Sequence, residues 1–132
     1  MRIHEGIYLQ HTKEKGNGVF TNMSIPKNTI VEISPVIVMT ADERTLLDQT
    51  LLHDYIFEWG ADGEELMCCM AQGYISVYNH SPASNCEYFM DYDAKTIMVK
   101  TMRDVLAGEE LTVNYNGDWN NDKPVWFETV IN

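Results

Sequence analysis

The chain has 132 residues, 45% of them hydrophobic, and a formal net charge of −11 from 20 acidic and 9 basic side chains. That length fits a single domain, 1–132, with enough apolar residues for a packed core. The charge repels phosphate, which argues against direct nucleic-acid binding and favours a basic protein or peptide partner, although the same charge also serves solubility alone.

Along the chain, 6–11 and 18–21 read as short strands around the turn Lys13-Glu14-Lys15-Gly16-Asn17-Gly18. A second turn, Ile25-Pro26-Lys27-Asn28, precedes a β-branched run over 29–39, where Pro35 predicts a bulge or an edge position. Thr40-Ala41-Asp42-Glu43 fits a capping box and predicts a helix through Leu46 and Leu47, extending toward Leu52. Two hairpins are expected, 55–59 with 65–70 and 87–92 with 95–101, and a last strand covers 111–114. A polar tail, 117–132, carries Trp119, Trp126 and Phe127. Many short strands with one modest helix predict a mainly β fold.

No apolar run reaches membrane-spanning length and no signal-peptide core follows Met1, so no membrane association is expected and the setting is read as intracellular, cytoplasmic or nuclear. Three Cys, two of them the adjacent Cys68 and Cys69, form no disulfide framework and no Cys-x-x-Cys zinc pair; a reducing compartment and no metal are expected.

Two segments are rich in hydrogen-bonding side chains. Asn79-His80-Ser81-Pro82-Ala83-Ser84-Asn85 lies between apolar stretches, and Gly108-Glu109-Glu110-Leu111-Thr112-Val113-Asn114-Tyr115 ends a strand in Asn and Tyr. Asn79 can donate and accept at once. His80 reads as a base, a metal ligand or a structural hydrogen-bonder, and Asn85 fits an Asx-turn that ties its own loop together. The glycines of Gly16-Asn17-Gly18 permit close approach of a ligand to backbone, or merely connect two strands. Tyr115, taken alone, is compatible with an ordinary half-buried tyrosine.

Read in order, Gly16-Asn17-Gly18-Val19-Phe20, Ile25-Pro26-Lys27-Asn28-Thr29-Ile30-Val31-Glu32, and the Asn79 and Gly108 segments resemble the successive signatures of the SET domain, a family of protein lysine methyltransferases. The resemblance runs from Gly16 to Tyr115, and the compact length without zinc-binding flanks is similar to minimal viral and bacterial members. It implies a β-clip-like fold of several short curved sheets with a C-terminal pseudoknot and one or two short helices. It also implies transfer of a methyl group from S-adenosylmethionine to the ε-amine of a lysine in a basic protein.

By the same resemblance, Tyr115 is the catalytic tyrosine. Lys15, Gly16, Asn17 and Gly18 meet the cofactor's methionine end, Asn79 hydrogen-bonds the cofactor, and the His80 backbone reads its adenine edge. Tyr55 contacts cofactor or lysine, while Tyr74, Tyr78 and Trp119 line the substrate channel. A homodimer that completes the substrate groove is compatible with so small a domain. The chain departs from the family pattern at Asn114, where Asp is common, and at Pro82 and Ser84, where Cys and Pro are common. Two other readings stand beside the enzyme: a catalytically silent SET-fold module that binds a basic peptide or the cofactor, and a metal-binding β protein using His80 with Cys68, Cys69 or Cys86.

Overall fold

A computed structural model describes residues 1–60 and 67–115. The strands, in chain order, are β1 (Arg2–Ile3), β2 (Ile7–Thr12), β3 (Gly16–Thr21), β4 (Ile30–Met39), β5 (Phe57–Trp59), β6 (Met67–Ala71), β7 (Asn79–His80), β8 (Cys86–Asp91), β9 (Thr96–Thr101) and β10 (Glu110–Val113). One α-helix, α1 (Ala41–Leu47), and two 3-10 turns, Leu51–Asp54 and Ile75–Val77, complete the described elements. The mainly β expectation holds. Strands β5-β6-β4-β9-β8 form one sheet, with β1 also on β4, and β2-β3-β10-β7 form the other.

The β2–β3 hairpin closes through Thr12, whose hydroxyl donates to the Gly16 carbonyl at 2.8 Å and accepts from the Lys15 N–H at 3.0 Å. Gly16 sits at φ 71°, a left-handed conformation that glycine adopts without steric cost. In β4 the register shift falls between Ile30 and Glu32, not at Pro35. Pro35 is neither at a bulge nor on an edge; it pairs with Thr96 where β4 passes from β9 to β6. Its carbonyl accepts from the Gln72 N–H at 3.0 Å, so the missing proline donor falls where neighbours change.

The capping box forms: the Thr40 hydroxyl accepts from the Glu43 N–H at 3.2 Å and Glu43 accepts from the Thr40 N–H at 2.9 Å. The helix stops at Leu47 rather than continuing toward Leu52, because Thr50 caps a new 3-10 turn by accepting from the Leu52 N–H. No residue of α1 is buried, so no packing draws the helix onward.

The core lies between the two sheets and joins Val19, Val31, Ile97, Val99, Leu111 and Val113, each 1% exposed or less. β10 is buried on both faces, since Thr112 is also buried, as is Asn114 just beyond the strand. Its short length therefore belies how firmly it is fixed.

Cys68, Cys69 and Cys86 are free and buried. Burial pushes the thiols of Cys69 and Cys86 up to about 12 from an ordinary 9.0. A thiol whose folded value is raised contributes stability that is full below the unfolded value and is lost as pH rises toward the folded one. The midpoint of urea unfolding is expected to hold between about pH 7 and 8 and to fall by about pH 10.5. An unchanged midpoint at the higher pH would contradict this.

Candidate active site

The two polar segments meet because β10 runs parallel to β7, with Thr112 opposite Asn79 and Val113 opposite His80. The Ser81 N–H extends the pairing by donating to the Val113 carbonyl at 3.0 Å. Asn85 reaches across to the same strand. Its amide donates to the Glu110 carbonyl and its oxygen accepts from the Thr112 N–H, both at 2.9 Å. The expected Asx-turn within its own loop is replaced by this bridge. A primary amide matches a carbonyl and an N–H two residues apart on a strand, and Asn85 is 1% exposed, so the bond lies away from competing water.

Asn79 turns its amide the other way, toward β3. Nδ2 donates to Glu110 Oε2 at 2.7 Å and to the Asn17 carbonyl at 3.2 Å. Gly18 makes this possible: a Cβ there would lie 2.5 Å from Glu110 Oε2 and 2.9 Å from Asn79 Nδ2. Beside the pair opens a cleft of about 410 Å³ lined by Thr12, Lys13, Glu14, Lys15 and Glu110. The Lys15 amine extends to the His80 carbonyl at 3.4 Å. Lys15, Gly18, Asn79 and His80 are thus brought together, with Asn17 contributing its carbonyl and Gly16 its turn.

His80 is 5% exposed and holds Tyr115. Nδ1 accepts the Tyr115 N–H at 3.0 Å and so carries no proton, and the two rings lie 5.2 Å apart. The Tyr115 hydroxyl donates to the Tyr78 carbonyl at 2.8 Å. Burial first, then the charges of Glu110 and Tyr55, push the Tyr115 phenol up to about 12. Tyr55 is half exposed and stands near enough to act on Tyr115 electrostatically.

Tyr78 is fully buried, and its phenol donates to Glu32 Oε1 at 2.9 Å. It therefore offers Tyr115 its carbonyl rather than its ring. Tyr74 is half-buried and gives its N–H to Glu32 Oε2 at 2.8 Å. Trp119 lies outside the described residues.

Sequence reasoning assigned no role to Glu110 or Glu32. The signal for Glu32 was available: one acidic residue in a run of β-branched apolar ones marks a carboxylate carried into the core. Among the described residues, no group of three His, Cys, Asp or Glu is arranged to hold a metal. The thiols of Cys69 and Cys86 are held protonated by burial, and His80 Nδ1 is engaged by the Tyr115 N–H.

The described site is thus a polar cleft on a strand-rich fold, near a tyrosine held by His80 and Tyr78. The SET domain profile matches residues 16–116, and the chain belongs to that family of lysine methyltransferases. It is an enzyme of the methyltransferase class.

A Schizosaccharomyces pombe histone-lysine N-methyltransferase described as H3 lysine-37 specific is 32% identical over 127 residues, covering 96% of this chain and 80% of that protein. A Cryptococcus neoformans histone-lysine N-methyltransferase described as H3 lysine-36 specific is 30% identical over 125 residues, covering 89% of this chain but only 15% of that protein. A crystal structure from Plasmodium falciparum, assigned to the histone methyltransferases, superposes with a TM-score of 0.64 at 27% identity, over 89% of this chain and 98% of that one.

Proposed function

We propose that the protein is an S-adenosylmethionine-dependent lysine N-methyltransferase acting on a basic protein, with histone H3 as the first substrate to try. The observation that carries this reading is the parallel β7–β10 pairing, which joins the Asn79 cleft and Tyr115 in one site. The relatives' names direct attention to H3, and a chain of net charge −11 suits so basic a partner. They differ in the lysine they name, so no position is carried over. The same relatives favour an intracellular, nuclear location. Pairing of β10 with β7 past the intervening 81–109 chain is what a SET pseudoknot requires, and that threading is part of the proposal.

The residues present fit the cofactor. The cleft sets a cation, Lys15, near a carboxylate, Glu110, which suits the carboxylate and ammonium of an amino-acid end. Asn79 fixes Glu110, and Gly18 leaves the space for both. When bound, the cofactor supplies an electrophilic methyl carbon and a positive charge.

The protein's own task is alignment, worth about 7–11 kcal/mol in well-oriented systems. A phenol pushed up to about 12 keeps its proton at neutral pH, so Tyr115 orients rather than deprotonates. Its proton points to the Tyr78 carbonyl, and a hydroxyl that donates this way retains acceptor lone pairs for an amine N–H. The substrate lysine, with a reference value of about 10.4, must lose a proton, which burial of the amine beside a positive charge favours. In this reading Tyr55 and Tyr74 border its path.

Incubation with methyl-labelled S-adenosylmethionine and either core histones or an acidic protein of similar lysine content tests the reading. Label is expected on a histone and not on the acidic protein. Absence of label from every histone, at a cofactor concentration shown by calorimetry to saturate the protein, would overturn it.

A further inference from the structure

Glu32 is 1% exposed, and the reading above gives it no part in the chemistry. Burial pushes its carboxyl above the usual carboxylate range, against the pull of its hydrogen bonds. Three donors converge on it: the Ser34 hydroxyl at 2.6 Å, the Tyr74 N–H at 2.8 Å and the Tyr78 phenol at 2.9 Å. Gly73, at φ +65°, lets the chain turn directly against this group, because a Cβ there would collide with Glu32 Oε2 and the Ser34 hydroxyl. The cluster thus takes residues from β4 and from the 73–78 segment, and the backbone itself is shaped around the carboxyl.

Tyr78 has two ends in different places. Its phenol is held in the core by Glu32, while its carbonyl receives the Tyr115 hydroxyl at 2.8 Å. The direction of that carbonyl is set by the backbone of Tyr78, at φ −59° and ψ 125°, where the 3-10 turn Ile75–Val77 gives way to β7. Pairing with β10 fixes this backbone on the β7 side. On the other side, the buried phenol and the Tyr74 N–H tie the turn to Glu32.

We propose that Glu32 is a positioning residue for methyl transfer, acting through Tyr78 to aim the carbonyl that orients the Tyr115 hydroxyl. This rests on Tyr115 acting in the transfer step. A carboxyl is well suited to the task, because one group accepts from a phenol on one oxygen and from a hydroxyl and an N–H on the other. A bond to such a group is short and directional in a dry surrounding. Release of the phenol lets the Tyr78 peptide rock, and misplacement of reacting groups by less than an ångström is enough to slow an aligned reaction.

The test is a cycle of Tyr78→Phe, Tyr115→Phe and the double variant, each read for kcat, substrate KM, cofactor affinity by calorimetry and thermal unfolding. Tyr78→Phe removes one oxygen and keeps both ring and carbonyl. It is expected to lower kcat about tenfold with KM and cofactor affinity held, and in the Tyr115→Phe background to change kcat by less than about twofold. A full tenfold loss in that background would mean that Tyr78 acts elsewhere and would overturn the proposal, as would a Tyr78→Phe protein with wild-type kcat. Glu32→Gln gives a second arm in case Tyr78→Phe folds poorly, and the same kcat-selective, Tyr115-dependent loss is expected. A Tyr115→Phe protein as fast as wild type would instead sink the catalytic reading of Tyr115 and this proposal with it. A slow Tyr115→Phe beside an unaffected Tyr78→Phe sinks the proposal alone.

Discussion

Replacing Tyr115 with Phe is expected to lower kcat for lysine methylation by about 100-fold or more, with cofactor affinity unchanged. The ring stays, so its 5.2 Å packing against His80 and the backbone bond to His80 Nδ1 survive. What goes is one hydroxyl, with its 2.8 Å bond to the Tyr78 carbonyl and, on the proposed function, the acceptor lone pairs that would meet the amine. Because the loss is specific to alignment of the reacting atoms, it falls on kcat rather than on binding. Single-turnover transfer together with calorimetric titration separates the two. Unchanged turnover would remove Tyr115 from the chemistry.

The second large effect is expected at Asn79. Asn79→Ala deletes two donated bonds, to Glu110 Oε2 at 2.7 Å and to the Asn17 carbonyl at 3.2 Å. The bond to a carboxylate is the stronger of the two and is worth about 1.5–3 kcal/mol, so cofactor affinity is expected to weaken by about tenfold or more. Glu110 would no longer be held beside Lys15, and the β3 turn would lose its tie to β7. At saturating cofactor, kcat should recover most of its wild-type value, the reverse of the Tyr115→Phe pattern. An unaltered dissociation constant would take Asn79 out of the cofactor site.

Local chemistry is what the sequence displays most plainly. The capping box at Thr40 and Glu43, the Gly16 turn and the 87–101 hairpin depend on residues a few positions apart, and they fold as read. Pro35 and Asn85 were misread because their roles depend on distant strands. Proline was placed by a change of partner along β4, and Asn85 by a donor and an acceptor on β10, 25 and 27 residues away. The end of α1 was missed for a further reason: with no buried face, a local Thr50 cap decided where the helix stopped.

The site follows the same division. Asn79, Gly18, Lys15, His80 and Tyr115 were legible as motif residues, but Glu110 and Glu32 were not. Their meaning lies in what faces them across the fold: Asn79 and Gly18 for the first, Tyr78 and Gly73 for the second. Tyr78 shows the limit most clearly. The resemblance assigns Tyr78 to the substrate channel; the structure adds that its hydroxyl is tied to Glu32 and its carbonyl receives the Tyr115 hydroxyl.

On the proposed function, this one site moves a methyl group from S-adenosylmethionine to a lysine. Tandem mass spectrometry of histone H3, after incubation with cofactor and either wild-type or Tyr115→Phe protein, tests it most directly. Methylation of a defined lysine is expected with the wild type and little or none with the variant. An unmodified H3 with the wild type, or equal methylation by both proteins, would contradict it.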